Sequence, residues 1–204
     1  TTEEPKDPEK ITYDFSSMTD DEFKKTIDDL TSDQTYEALD AVWRNYCISD
    51  ILEPGSTFKP FTIAGAIEDG VVKDGDTFYC KGYEIVADGT DPIYCHNRTG
   101  DGTLTLKQAL EQSCNAALMQ IAKSEGKETF SKYQDIFNFG SQTGIDLSGE
   151  GSGLVYSEEN LNPVELATSS FGQGINVTMI QMAAAFCSLI NGGNYYTPHT
   201  VRQI

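Results

Sequence analysis

The chain has 204 residues, 38% of them hydrophobic, and a formal net charge of −18. That length holds one domain with a real core, and the acidic excess argues against a nucleic-acid or anionic-lipid surface, which needs Lys and Arg. No apolar run is long enough to span a membrane and no signal peptide is visible, so a chain from Thr1 to Ile204 reads as an excised piece of something longer.

Residues 1–18 are polar, hold Pro5 and Pro8, and are expected to form an extended lead-in. Thr19-Asp20-Asp21-Glu22 is a capping box, and Phe23, Ile27 and Leu30 follow at helical spacing, which predicts a short amphipathic helix over about 19–30. The acids of this stretch lie on a helix rather than on a glycine-turned loop, which argues against calcium. Tyr36, Leu39, Val42, Trp43 and Tyr46 make a second helical stripe, expected to be core.

Glu53-Pro54-Gly55-Ser56-Thr57-Phe58-Lys59-Pro60-Phe61 then reads as a turn running straight into a helix that stops near Asp69-Gly70. Thr77–Lys81, Tyr83–Ala87 and Ile93–His96 have strand composition, and Asp88-Gly89 is a hairpin turn signal. A two-residue turn there sets Cys95 opposite Gly82, with Cys80 two positions off. A bulge near Gly82 brings the cysteines together, either as a Cys80–Cys95 disulfide or as two thiols on one hairpin. Gly100–Gly102 reads as a loop. Thr105 caps a helix that Ser113-Cys114-Asn115 interrupts and that resumes until Gly126. A further helix carries Phe130, Tyr133 and Phe137, and residues 140–153 form a loop. Pro163 opens a short helix, Thr178 caps the most apolar helix of the chain, and Tyr195–Ile204 reads as a loop and incoming strand.

Five cysteines without Cys-x-x-Cys spacing and only two histidines argue against a zinc site, and neither a metal nor a cofactor is expected. The chemistry centres instead on Ser56 and Lys59. Three residues apart, they share one face of a first helical turn. A serine hydroxyl needs a base within hydrogen-bond reach, and a lysine serves only when burial or nearby positive charge lowers its pKa. Taken alone, Ser-x-x-Lys is also what a capped helix with one exposed lysine looks like. Two further strings weigh against that: Ser113-Cys114-Asn115, and Gly172-Gln173-Gly174-Ile175-Asn176-Val177-Thr178. Together with the extended string around Ser56, they closely resemble the transpeptidase domain of class B (monofunctional) penicillin-binding proteins, from about Arg44 onward.

The resemblance implies a chain that is mainly α with a small β-hairpin. It would be the helical part of the α/β penicillin-binding transpeptidase (serine β-lactamase-like) fold, lacking most of the central sheet, with residues 19–204 a partial transpeptidase domain. It implies Ser56 as nucleophile on a D-alanyl-D-alanine stem peptide, Lys59 as general base, Ser113 as proton relay to the leaving amine and Asn115 as the group holding the substrate amide. β-Lactams would acylate Ser56. The implied location is the outer face of the cytoplasmic membrane, anchored from outside this segment, with other cell-wall synthesis proteins as partners. That compartment permits disulfides.

One element of the family pattern is missing. No Lys-Thr-Gly, Lys-Ser-Gly or His-Thr-Gly occurs in the 204 residues. That strand supplies the second oxyanion donor, and losing one such donor costs about 3–4 kcal/mol in the barrier. The isolated piece is therefore expected to be inactive, and to expose apolar faces. Two rival readings remain. A serine β-lactamase or β-lactam sensor would deacylate with a glutamate, for which Glu150, Glu158, Glu159 and Glu165 are candidates by position. A non-catalytic scaffold would have no need to keep Ser56, Lys59, Ser113 and Asn115 together.

Overall fold

A computed structural model describes residues 18–28 and 31–202. All but Met18 of the expected lead-in lies outside these residues. The chain divides into two compact units, residues 1–45 and 46–204.

In the first unit, helix α1 (Asp20–Asp28) begins at Thr19, whose backbone N–H donates to Glu22 Oε2 over 2.9 Å. Helix α2 (Ser32–Trp43) begins at a second capping box, Thr31 with Gln34, which the sequence reading passed over. The stripe expected to be core is not buried. Tyr36 is 75% and Trp43 73% exposed, and Val42 is exposed as well. Helical periodicity identifies an apolar face but does not say what covers it.

The second unit opens on the single-turn helix α3 (Tyr46–Ser49) and is organised around α6 (Asn115–Ile136). Its first half, from Ala116 to Ala122, is buried except at Gln120, so this stretch is apolar on nearly every side rather than on one stripe. Helix α4 (Lys59–Glu68) packs along it on one side and α7 (Pro163–Ser169) on another. The close approach of α4 depends on Gly65, where a Cβ would lie 2.7 Å from the Tyr133 ring. The predicted stop at Gly126 is present as a break, with φ +79° and ψ 161°, after which helix resumes.

Among the described residues, three small antiparallel pairs lie around this helical body. Strand β1 (Ile51–Leu52) pairs with β6 (Val177–Thr178), bringing the approach to Ser56 beside the approach to α8 (Met179–Ile190). Strand β3 (Tyr83–Glu84) pairs with β4 (Ile93–Tyr94) in the register that a turn centred on Asp88-Gly89 dictates: Tyr83 faces Tyr94, and Cys95 N–H donates to Gly82 O over 2.9 Å. Strand β2 (Thr77–Cys80) pairs with β5 (Gly102–Thr105), so the stretch at Gly102 is strand rather than loop. Its polar alternation is that of a strand with one face on the core: Leu104 is buried while Thr103 and Thr105 are exposed. Gln120 of α6 binds the pairs to the helix, donating to Tyr79 O and Glu84 Oε1. The strand expected after Tyr195 does not form among the described residues, and the segment ties back through Asp146, which accepts from Thr200 and Val201 N–H.

Two clusters make the core. One joins Val72, Cys80, Cys95, Leu104, Leu106 and Cys114 to the buried start of α6. The other is aromatic and lies under the Ser56 turn. Phe58 and Phe139 have ring centroids 5.0 Å apart, and Phe61 meets Phe186 edge-on at 4.7 Å. Each buried phenylalanine contributes about 1.5–3 kcal/mol relative to exposure, which anchors the turn from below.

Candidate active site

Ser56 stands in a short 3-10 turn, Gly55–Phe58, that leads directly into α4. Two neighbours hold the turn. Thr57 Oγ1 donates to Pro54 O over 2.6 Å, and Gly55 N–H donates to Gly172 O over 2.9 Å. Gly55 has φ +56°, in the left-handed region that glycine enters freely. The hydroxyl of Ser56 faces outward on an exposed residue, while Phe58 and Lys59 turn into the core.

Lys59 is only 1% exposed, a burial that ammonium groups tolerate only when paired or hydrogen-bonded. Its Nζ donates to Ser113 O at 2.5 Å, to Ser113 Oγ at 2.8 Å and to Asn115 Oδ1 at 2.7 Å, which uses all three ammonium protons. Burial pushes its pKa down to about 8, against a smaller upward pull from the thiols of Cys95 and Cys114. A lysine held there is partly neutral near physiological pH and can take up a proton.

Ser113 closes the circuit. Its Oγ lies 2.8 Å from Ser56 Oγ, so the hydrogen-bonded path from the exposed serine to the buried lysine runs through it. It sits between α5 (Leu106–Glu111) and α6 with φ +51°, a left-handed conformation that costs a serine about 1–2 kcal/mol. The turn is held by Ser113 N–H to Leu110 O and Cys114 N–H to Ala109 O. Cys114, wholly buried, caps α6 by accepting Ala117 N–H at its sulfur, which leaves Asn115 as the first helical residue with its amide toward Lys59. The middle cysteine thus faces the core and not the site.

All four residues singled out from the sequence, Ser56, Lys59, Ser113 and Asn115, meet here. What sequence reasoning missed is the second support of the turn. Gly174 N–H donates to Glu53 Oε1 over 2.8 Å and Thr62 Oγ1 donates to Ser170 O over 2.9 Å, so the Gly-Gln-Gly loop clamps both sides of the Ser56 segment. The paired glycines were the visible signal. Of the glutamates a deacylating enzyme would need, Glu150 is engaged by Thr143 and Gly144 N–H, and none of the four is hydrogen-bonded to Ser56 or Ser113. Cys80 and Cys95 lie with their sulfurs within 4.8 Å as free thiols, and Cys114 is a third neighbour, 3.9 Å from Cys95 Sγ.

The family model for the penicillin-binding protein transpeptidase domain matches residues 10–204. The chain belongs to this family. Among curated relatives, Stage V sporulation protein D of Bacillus subtilis is 43% identical over 161 residues, which is 78% of this chain and 25% of that protein. Peptidoglycan D,D-transpeptidase FtsI of Escherichia coli is 30% identical over 163 residues, 79% of this chain and 26% of that protein. Of solved structures, Pseudomonas aeruginosa PBP2 superposes with a TM-score of 0.76 at 26% identity, covering 85% of this chain and 42% of that one. The transpeptidase domain of Burkholderia pseudomallei penicillin-binding protein 3 gives 0.72 at 27% identity, covering 79% and 48%. The chain thus spans about a quarter of the length of these two curated relatives. Its mainly helical body with a few short strands is part of the penicillin-binding fold.

Proposed function

We propose that the protein carrying this chain is a peptidoglycan D,D-transpeptidase working through a serine acyl-enzyme. The observation that carries the reading is the continuous hydrogen-bonded path Ser56–Ser113–Lys59–Asn115. Ser56 Oγ attacks the penultimate D-alanine carbonyl of a stem peptide. Its proton passes toward neutral Lys59 through Ser113, and the same path returns it to the departing D-alanine nitrogen as the peptide bond breaks. An amine from a second stem then attacks the ester, gives up its proton to the path and restores Ser56.

Asn115 orients Lys59 and offers its remaining amide group to the substrate. Ser56 N–H, in the first turn, supports the oxyanion. The second oxyanion donor belongs to a Lys-Thr-Gly strand expected past Ile204, with residues 19–204 forming part of the domain, so this segment alone is expected to acylate poorly. β-Lactams enter as mimics of D-alanyl-D-alanine. Action outside the cytoplasm, with a membrane anchor and other cell-wall synthesis proteins as partners, follows from the same reading. Among the described residues no helix is long and apolar enough to cross a membrane.

Intact-mass analysis after incubation with a penicillin tests the proposal. The full-length protein should gain one stable adduct, mapped to Ser56 and absent from Ser56→Ala. An adduct that hydrolyses within minutes would favour a lactamase, and none on folded protein would overturn the acyl-enzyme reading.

A further inference from the structure

The sulfurs of Cys80, Cys95 and Cys114 and a carboxylate oxygen of Asp101 all lie within 4.8 Å of one another. The three cysteines come from β2, the end of the hairpin and the cap of α6, and each is 2% exposed or less. We propose that these four residues bind one thiophilic divalent metal ion, zinc(II) in the first place, directly beneath the Ser113–Asn115 turn.

The donor set is the one such an ion takes. Zinc is four-coordinate, accepts thiolate and carboxylate, and with Zn–S bonds of about 2.3 Å places sulfurs about 3.8 Å apart. The Cys95 and Cys114 sulfurs are 3.9 Å apart, so the ion needs little rearrangement there. A disulfide would consume two of the three sulfurs and leave the carboxylate with no role. Asp101 is the independent sign of a ligand: its Oδ2 is buried without a hydrogen-bond partner, a costly state for a carboxylate. Its other oxygen accepts from Asn97 Nδ2 over 2.6 Å, which orients the group as outer-shell partners of metal sites do. Asp101 is also the one member of the four that is partly exposed, which gives the ion a way in.

Binding displaces three thiol protons and leaves a cluster of net charge −2. The surroundings suit that charge. Ala117 N–H points at Cys114 Sγ over 3.4 Å, at the N-terminal end of α6, where the helix dipole favours negative charge. Cys114 stands between Ser113 and Asn115, so the ion would pin the strained turn that presents both. No Cys-x-x-Cys spacing announces the site because its ligands come from three separate segments.

The test is a cobalt(II) titration of the reduced, metal-stripped full-length protein, read by thiolate-to-cobalt charge-transfer absorption and independent of any acyl-enzyme chemistry. One equivalent should bind with an intense near-ultraviolet band, and zinc should displace it. Cys95→Ser should weaken binding by about 100-fold, and Asp101→Asn by about 10-fold with the band retained. Cys187→Ser, which alters an exposed cysteine outside the cluster, should change nothing. Should Cys95→Ser fail to fold, the Asp101→Asn affinity decides. No band from folded, reduced protein, a band unchanged in Cys95→Ser, or an Asp101→Asn affinity equal to wild type overturns the proposal.

Discussion

Gly172 stands so close to Gly55 that a Cβ on Gly172 would lie 2.2 Å from the Gly55 carbonyl oxygen. The loop behind the site and the turn carrying Ser56 are in backbone contact, joined by the Gly55 N–H to Gly172 O bond. No side chain stands between them to absorb a change.

Gly172→Ala should therefore displace Ser56. The new methyl meets backbone, and φ at this position is +80°, so the substitution carries left-handed strain as well. Unfolding free energy should fall by about 1–3 kcal/mol, and penicillin acylation should slow. Thermal melts and acylation rates on one preparation check both; wild-type values for each would mean the loop does not position Ser56.

Ser113→Ala should remove the link between Ser56 and Lys59 while leaving both in place. The expected loss in acylation rate is about 10²–10⁴-fold, the range for a positioned proton-transfer group. Stopped-flow acylation measures it. A loss under tenfold would show that the proton reaches Lys59 by another route.

The pH dependence should follow Lys59. In the proposed mechanism its neutral form is the proton acceptor, and that form predominates above a pKa that burial brings to about 8. Acylation should rise about tenfold per pH unit below that value and level off above it. A flat profile from pH 6 to 9 would remove Lys59 as the base.

Glu125 makes a separate prediction about stability. Both its oxygens are buried without hydrogen-bond partners against the packed faces of α4 and α6. Burial, helped by the charge of Asp69, raises its pKa to about 8 from 4.5. The folded state therefore holds a proton that the unfolded chain has released between about pH 4.5 and 8. Stability is fully present at the acid end of that window and falls as pH rises, by at most roughly 1.4 kcal/mol per pH unit. Glu125→Gln should remove that slope and gain stability at pH 8. Urea unfolding of both forms at pH 5.5 and 8 checks it, and parallel slopes would count against the buried proton.

The sequence by itself determined what depends on near neighbours. The capping box at Thr19, the turn into the helix at Ser56, the break at Gly126 and the hairpin register that sets Cys95 opposite Gly82 follow from residues a few positions apart. The motif strings also singled out Ser56, Lys59, Ser113 and Asn115, the four residues that the fold brings into contact. The tertiary structure alone decided that Ser113 stands between Ser56 and Lys59, which are joined to it across 57 and 54 residues. It alone paired β2 with β5, left Tyr36 and Trp43 exposed, and gathered three cysteines and Asp101. Local periodicity fixes which face of an element is apolar. Which distant segment meets that face depends on packing the whole chain around α6, and no single window of sequence contains that information.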